Sequence, residues 1–574
     1  MKLKLLSILG VLLVVQVAHA QMSISWPVDR TVFQRSSYGG ATFNVGGQCL
    51  LSNTDYELQK RVTVLNLQYG STSYVSHDWS TFAYSRPYGG IWNQSFSLGD
   101  GWYTIEVRAL INGNEIGRGG IKVGVGDVYI VAGQSNAQGV DNTNGFNENP
   151  WDCVVKDYHY EDCTTDLPPF PFMLPIYQGV NMASQGVTNW AYTALGNKIA
   201  NDKGYPVAIF NTARSGTTVG NWAESRDGSS TNSVYPPGAV ICGTAGMPYT
   251  GLKNALNYYG SLFGVRAVLW HQGETDNHQS TSAYDYQDRL NQVIIKTRQD
   301  FNSVLSWYIS RVSYNPEVDA FNRPRTWQPV IDGQDGIINT SNYINAGPST
   351  DNIDIPRNGS STEVHFGGNG LNDLATAWNN SLASTVSTIP ILSGPAATMS
   401  VTKNGNNYVL TAQVPSGFNQ FYWVTYSNRL SSKFNSDLSL STITVSDSPN
   451  FYRFYARDNK GNTVVSPGVY IPLPGGSARI ATQTEDYNGL SLSVTPNPVD
   501  DQATATVQLA RNSPVTLDLI NERGQVVTKI KETTLEAGTY TYSFDISSLT
   551  PGLYICRLRS NDLFVTKKIL KINR

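Results

Sequence analysis

The sequence predicts a multidomain protein, with a central α/β/α parallel-sheet domain flanked by β-sandwich domains. Three observations carry this. At 574 residues the chain is too long for one hydrophobic core, so roughly three to five domains are expected. Between residues 127 and 389, short apolar runs alternate with amphipathic stretches, the pattern of a parallel sheet covered on both faces. Outside that span, short alternating runs are broken by glycine-rich turns, the pattern of β-sandwiches.

Taken in order, residues 1–20 read as a signal peptide. Lys2 and Lys4 precede an apolar run from Leu5 to Val15, and Ala18-His19-Ala20 is a small-residue cleavage site. The run is too short to span a bilayer, and no later stretch is long and apolar enough for a transmembrane helix. Residues 21–126 then alternate as strands do, for example Ala41-Thr42-Phe43-Asn44-Val45 and Trp102-Tyr103-Thr104-Ile105-Glu106-Val107.

At Asp127 the texture changes. The apolar run from Val128 to Ala132 suits a strand buried on both faces. A helical pattern from about Thr188 to Asp202, closed by Gly204 and Pro206, leads into the strand Val207 to Asn211. A helix near Leu252 to Phe263 precedes the strand Val265 to Trp270. A longer helix from Ala283 to Phe301 precedes the strand Val304 to Ile309, and a last helix is expected from Gly370 to Val386. Ligands of such sheets bind at the carboxyl ends of the strands. Residues 390–474 return to β texture and predict an immunoglobulin-like sandwich, with Phe421, Tyr422 and Trp423 in its core. A linker follows at 475–489, and residues 490–574 form a final β domain.

Composition narrows the function. Only 15% of residues are charged and the net charge is -3, which leaves no electrostatic footprint for nucleic acid or an anionic membrane. Among the five cysteines, Cys153 and Cys163 lie close in a loop-like stretch and are candidates for a disulfide in an oxidising compartment. Cys49, Cys242 and Cys556 fall in separate segments and read as buried free thiols. There is no Cys-x-x-Cys and no Cys/His cluster, so neither a metal nor a cofactor is expected.

Three polar clusters each follow a buried strand. Gly133-Gln134-Ser135-Asn136 follows the first; a serine at a strand-to-helix turn suits a nucleophile whose own N–H helps bind an oxyanion. Taken alone, these are ordinary turn residues. Arg214-Ser215-Gly216-Thr217-Thr218 follows the second, with Trp222 beyond it; a glycine there lets substrate approach the backbone closely. Trp270-His271-Gln272-Gly273-Glu274-Thr275-Asp276 follows the third, and the Gln272 amide is a candidate oxyanion donor. A general base must come from His77, His159, His271, His278 or His365. His365, in Glu363-Val364-His365-Phe366-Gly367-Gly368, lies where the chain returns to the sheet edge.

Over residues 127–388 the chain resembles the SGNH (GDSL-like) hydrolases, in the branch containing sialate O-acetylesterases and acetylxylan esterases. The resemblance rests on Gly-Gln-Ser-Asn at 133–136 and Gln-Gly-Glu at 272–274. It implies a flavodoxin-like central domain and an esterase with Ser135 as nucleophile and His365 as base. Ser135 N–H, Gly216 N–H and the Gln272 side chain would form the oxyanion hole, with Gln134, Asn136, Trp222 and Glu274 near the substrate. The family's aspartate three residues before the histidine is replaced by Thr362. Glu363 is the nearest carboxylate, Asp351 and Asp354 are more distant candidates, and a Ser–His dyad oriented by a backbone carbonyl is a further alternative.

The C-terminal segment is similar to the sorting domain of type IX secretion. It carries Ser493-Val494-Thr495-Pro496-Asn497-Pro498, then Leu549-Thr550-Pro551-Gly552-Leu553-Tyr554, then Thr566-Lys567-Lys568-Ile569-Leu570-Lys571. That implies passage through the periplasm to the cell surface or medium, with the type IX machinery as a partner. The expected function is removal of O-acetyl groups from carbohydrates through an acyl-enzyme on Ser135. The competing expectation is a non-catalytic carbohydrate-binding or adhesion protein. A lipase is disfavoured because Ser135 lacks a Gly-x-Ser-x-Gly setting.

Overall fold

A computed structural model describes residues 22–140 apart from 50–54, 66–73 and 86–89; 153–156; 173–175; 182–382 apart from 302–303; 397–471 apart from 428–429, 434–437 and 447–449; and 490–572 apart from 497–498, 510–512, 522–525, 537 and 561–562. The signal-peptide span, the 475–489 linker, His159 and Cys163 lie outside these residues. So do the side chain of Cys153 and with it the Cys153–Cys163 pairing. Contacts divide the chain into two units, 1–478 and 479–574.

The larger unit is organised around one mixed sheet. Its central strands are β1 (Asn114–Gly133), β2 (Cys153–Lys156), β3 (Met173–Pro175), β4 (Val207–Asn211), β5 (Ala267–His271), β6 (Trp307–Arg311) and β7 (Ile344–Ser349), in the spatial order β3-β2-β4-β1-β5-β6-β7. All neighbouring pairs are parallel except β3 with β2. Leaving out the two short strands β2 and β3, the order is second, first, third, fourth, fifth, the doubly wound arrangement of flavodoxin-like sheets. Its topological switch point lies between β1 and β5, the place where such sheets bind ligands at the carboxyl ends of the strands.

Side chains alternate across this sheet. Tyr129, Val131, Ile209 and Leu269 pack with Leu195 and Ile199 of the helix Tyr192–Lys203 and with Leu371, Leu374 and Trp378 of the helix Asn369–Ser381. On the other face Trp270 meets Trp222 and Trp307 at ring distances of 5.2 and 6.1 Å, and Phe210 stacks on Tyr259 at 4.6 Å. The helix Ala283–Phe301 buries Tyr286, Leu290, Val293, Ile294, Thr297 and Phe301, the stripe its sequence period predicts.

Three differences from the sequence reading matter. β1 runs across the expected domain boundary between 126 and 127: its first half pairs antiparallel with Gly101–Ile111, and the same strand continues into the parallel sheet. One continuous strand thus joins the N-terminal β layer to the turn at Ser135. The strand β7 and the helices Val219–Ser225, Glu274–His278 and Gln328–Ile337 had no clear periodic signal. Finally, Cys242 is disulfide-bonded rather than a free thiol, whereas Cys49 and Cys556 are buried thiols outside any disulfide. Sequence separation carries no information about which cysteines meet in space.

Residues 398–471 form a sandwich of three- and five-stranded sheets around Leu410, Trp423 and Phe454. It is fixed to the rest of its unit: Arg453 Nη2 donates to Ser25 O at 2.6 Å, and Ser25 Oγ to Gly468 O at 3.1 Å. The smaller unit is a second sandwich, of three and four strands, with Leu517, Leu519, Leu558 and Ile569 in its core.

Candidate active site

The first turn of the site is set by close strand pairing. Gly133 has φ +143°, and a Cβ there would lie 2.0 Å from His271 O, so only glycine lets β1 approach β5 at this point. Gln134 N donates to His271 O, and the chain then enters the short helix Ser135–Gln138. Ser135 N–H, at the helix start, has no hydrogen bond among the described residues.

Ser135 Oγ lies 2.9 Å from His365 Nε2, and His365 Nδ1 lies 2.7 Å from Glu363 Oε1. Glu363 reaches the imidazole despite the short spacing because its carboxylate folds back over its own backbone. Oε1 also accepts from Val364 N at 2.9 Å and His365 N at 2.8 Å. The two more distant carboxylates are committed elsewhere. Asp351 accepts from Ser313 N, Ser313 Oγ and Tyr314 N, and Asp354 accepts from Asn358 N and Gly367 N. Thr362 is exposed and bonded to Ser360. The other described histidines are elsewhere: His77 is exposed in the N-terminal β layer, and buried His271 packs on Phe366 and Trp378.

The loop carrying His365 is gripped from beneath. Asn136, next to Ser135, donates through Nδ2 to Val364 O at 3.0 Å and Glu274 Oε1 at 2.8 Å, and accepts from Phe366 N at 3.2 Å. It therefore holds the residues on both sides of His365. Arg357, fully buried, donates to Val364 O at 2.6 Å and Thr350 O at 3.3 Å, lies 4.1 Å from the centre of the Phe366 ring and faces Glu274 at 3.9 Å. Burial opposes ionisation of Glu274, but the close approach of His271, at 3.7 Å, and then Arg357 and Asn136 hold its carboxyl down to about 2.

These contacts correct three expected substrate contacts. Asn136, Trp222 and Glu274 are each buried and bonded within the protein; Trp222 Nε1 donates to Thr217 Oγ1 and braces the turn after Gly216. Their polar groups are thus engaged within the protein around the turns that carry Ser135, Gly216 and His365. Gln272 is corrected as well. Its Nε2 faces Gln134 Oε1 at 3.1 Å, Thr217 O at 3.2 Å and Asp276, and its Oε1 accepts from Tyr286 at 2.9 Å. With two amide hydrogens and three acceptors already near, nothing remains for an oxyanion. Gln134 differs. Its Oε1 accepts from Gly273 N and Thr275 N, which fixes the amide orientation, and its Nε2 has no hydrogen bond among the described residues.

Gly216 sits at φ +73° against the loop 233–235, with Val234 N donating to its carbonyl at 2.9 Å. Its own N–H has no hydrogen bond among the described residues, whereas the neighbouring Ser215 N–H is taken by Gln138 Oε1 at 2.8 Å. Sequence reading missed Arg357 and Gln138: an arginine or glutamine in a loop or short helix carries no mark of burial. Among the described residues no group of three His, Cys, Asp or Glu could hold a metal, and no helix is long and apolar enough to cross a membrane.

Residues 125–369 match the family described as carbohydrate esterase, sialic acid-specific acetylesterase, and residues 493–572 match the secretion system C-terminal sorting domain. No curated protein matches the chain. Among solved structures the chain is similar to a carbohydrate acetylesterase from Xanthomonas citri, at 14% identity and TM-score 0.37, over 79% of this chain and 99% of that one. It is also similar to an Arabidopsis thaliana protein, at 16% identity and TM-score 0.28, over 44% and 96%. A third is the esterase EstA from Pseudoalteromonas, at 12% identity and TM-score 0.24, over 45% and 96%. By the two family matches, the chain carries a carbohydrate-esterase domain of the sialic acid-specific acetylesterase family and a type IX sorting domain that marks it as a secreted or cell-surface protein.

Proposed function

We propose that the protein removes O-acetyl groups from carbohydrates through an acyl-enzyme on Ser135. The observation that carries this is the continuous chain from Glu363 Oε1 through His365 to Ser135 Oγ, at 2.7 and 2.9 Å. His365 Nε2 takes the hydroxyl proton as Oγ bonds to the acetyl carbon, and Glu363 holds the imidazole in the tautomer that can accept it. The carbonyl oxygen becomes an oxyanion facing the open N–H groups of Ser135 and Gly216. Collapse breaks the ester bond, and the sugar oxygen leaves with the proton from His365. Water then repeats the sequence: it gives a proton to His365, its oxygen bonds to the acetyl carbon, and Ser135 is released with acetate. Gln134, with its open Nε2, is the side chain assigned to the substrate's acyl end.

The test uses the full-length protein and 4-nitrophenyl acetate. Ser135→Ala is expected to abolish hydrolysis while leaving thermal unfolding unchanged. Retained activity would overturn the assignment.

A further inference from the structure

Three aromatic side chains from three separate loops, each following a different strand of the central sheet, meet one another. Tyr235 lies between β4 and β5, His278 ends the helix after β5, and Phe321 lies in the segment after β6. The Tyr235 and His278 rings are 5.4 Å apart and those of His278 and Phe321 are 5.6 Å apart, both edge-to-face. Large apolar side chains belong in a core, yet Tyr235 is 38% exposed and Phe321 58% exposed. One exposed aromatic needs no explanation; two, joined through the half-buried His278 ring on loops at the carboxyl ends of neighbouring strands, make a continuous patch where α/β sheets bind ligands.

The patch has a polar rim and is rigidly built. Tyr235 Oη donates to Glu317 Oε2 at 2.7 Å. The Arg323 guanidinium lies 5.4 Å from the centre of the Phe321 ring and is pinned by His278 O at 2.8 Å and Asn277 O at 3.2 Å. Its position relative to the reaction is set by Gly216: Ser233 Oγ donates to Gly216 O, and a Cβ on Gly216 would come within 2.2 Å of Tyr235 O. The backbone of Tyr235 therefore packs directly against Gly216, the glycine whose N–H is assigned above to the oxyanion.

We propose that Tyr235, His278 and Phe321 form a subsite for a second sugar ring of the same glycan, adjacent to the ring whose acetyl group is attacked. The C–H-rich face of a pyranose packs on the exposed rings, and Glu317 and Arg323 at the rim pair with its hydroxyls. A polar rim beside an apolar face matches a sugar, which presents hydroxyls and C–H groups together, better than an apolar acyl chain, which has nothing to offer the rim. The proposal rests on the esterase reading above and adds a preference for oligosaccharides over single acetylated sugars.

The experiment compares chemically acetylated xylo-, manno- and galacto-oligosaccharides of one and four sugars with 4-nitrophenyl acetate, in the full-length wild type and in Tyr235→Ala, Phe321→Ala and Phe321→Trp. On the tetrasaccharide cleaved fastest, each alanine variant is expected to lower kcat/KM, relative to that on 4-nitrophenyl acetate, by roughly tenfold through KM. Phe321→Trp is expected to restore it. An unchanged ratio, or an equal fall on both substrates, would show that the rings only brace the loops and would overturn the subsite. So would a wild type with no preference for four sugars over one. Activity surviving Ser135→Ala would instead strike the nucleophile assignment, a separate failure.

Discussion

Glu363 and His365 are only two residues apart, yet Glu363 Oε1 lies 2.7 Å from His365 Nδ1, because the same oxygen is clasped by the backbone N–H groups of Val364 and His365. A carboxylate three residues upstream reaches an imidazole across a turn. One two residues upstream does so only by curling over its own backbone, and the extra methylene of glutamate supplies the length.

Glu363→Gln is therefore expected to keep the loop, since its amide oxygen still accepts from both backbone N–H groups. It loses the charge that stabilises the imidazolium and the partner that fixes its tautomer. By analogy with serine triads, kcat on 4-nitrophenyl acetate should fall by about 10²- to 10⁴-fold with little change in thermal stability. A kcat within twofold of wild type would mean that the carboxylate is dispensable.

Beneath that loop, Arg357 and Glu274 form a buried pair 3.9 Å apart. Removing one partner strands the other in a low-dielectric interior. Arg357→Met or Glu274→Gln alone should each cost about 3–5 kcal/mol in urea unfolding, and the double variant less than the sum. The pH dependence follows from the lowered carboxyl of Glu274, near 2 against an ordinary 4.5. Its stabilising contribution is fully present above about 4.5 and is lost as pH falls toward 2. The wild type should lose stability over that window more steeply than Glu274→Gln.

The central sheet and the Ser135–His365 pairing were legible because both leave short-range marks. Buried strands are apolar runs, as at Val207 to Asn211, and the motifs fall at their ends. What was not legible is which polar side chains turn inward. Gln134 and Gln272 are chemically identical, and only the surroundings, Asp276 and Thr217 O for one and two backbone N–H groups for the other, separate scaffold from open donor. Glu274 and Arg357 look like surface charges in sequence, and their burial depends on partners more than 80 residues apart in the chain. β7 was missed because Ile344–Ser349 contains glycine and proline and reads as a loop.

Gly216 gives a test of the proposed oxyanion hole that leaves Ser135 untouched. Alanine there meets Tyr235 O at 2.2 Å and Ser233 Oγ at 2.5 Å, at a φ of +73° that side chains resist. Relief requires the 233–235 loop or the Gly216 peptide to shift, which turns the N–H away from the carbonyl oxygen. Gly216→Ala should cost about 10²- to 10³-fold in kcat, the scale of losing one oxyanion donor. Wild-type turnover in this variant would remove Gly216 from the hole.

Asp276 supplies the opposite pH signature to Glu274. Burial raises its carboxyl to about 6, even though the Gln272 amide, Val219 N–H at 2.9 Å and Thr281 Oγ1 at 2.8 Å donate to it. The folded state therefore holds this proton more tightly than the unfolded chain. The associated stability is fully present below about 3.8 and is lost as pH rises through about 6. At neutral pH the buried charge destabilises the fold by about 3 kcal/mol relative to acid conditions. Asparagine keeps an acceptor for Val219 N–H and carries no charge. Asp276→Asn should therefore remove that decline, so that the difference in unfolding free energy between variant and wild type grows in the variant's favour from pH 4 to pH 7. Parallel curves for the two proteins would show that Asp276 is already ionised throughout.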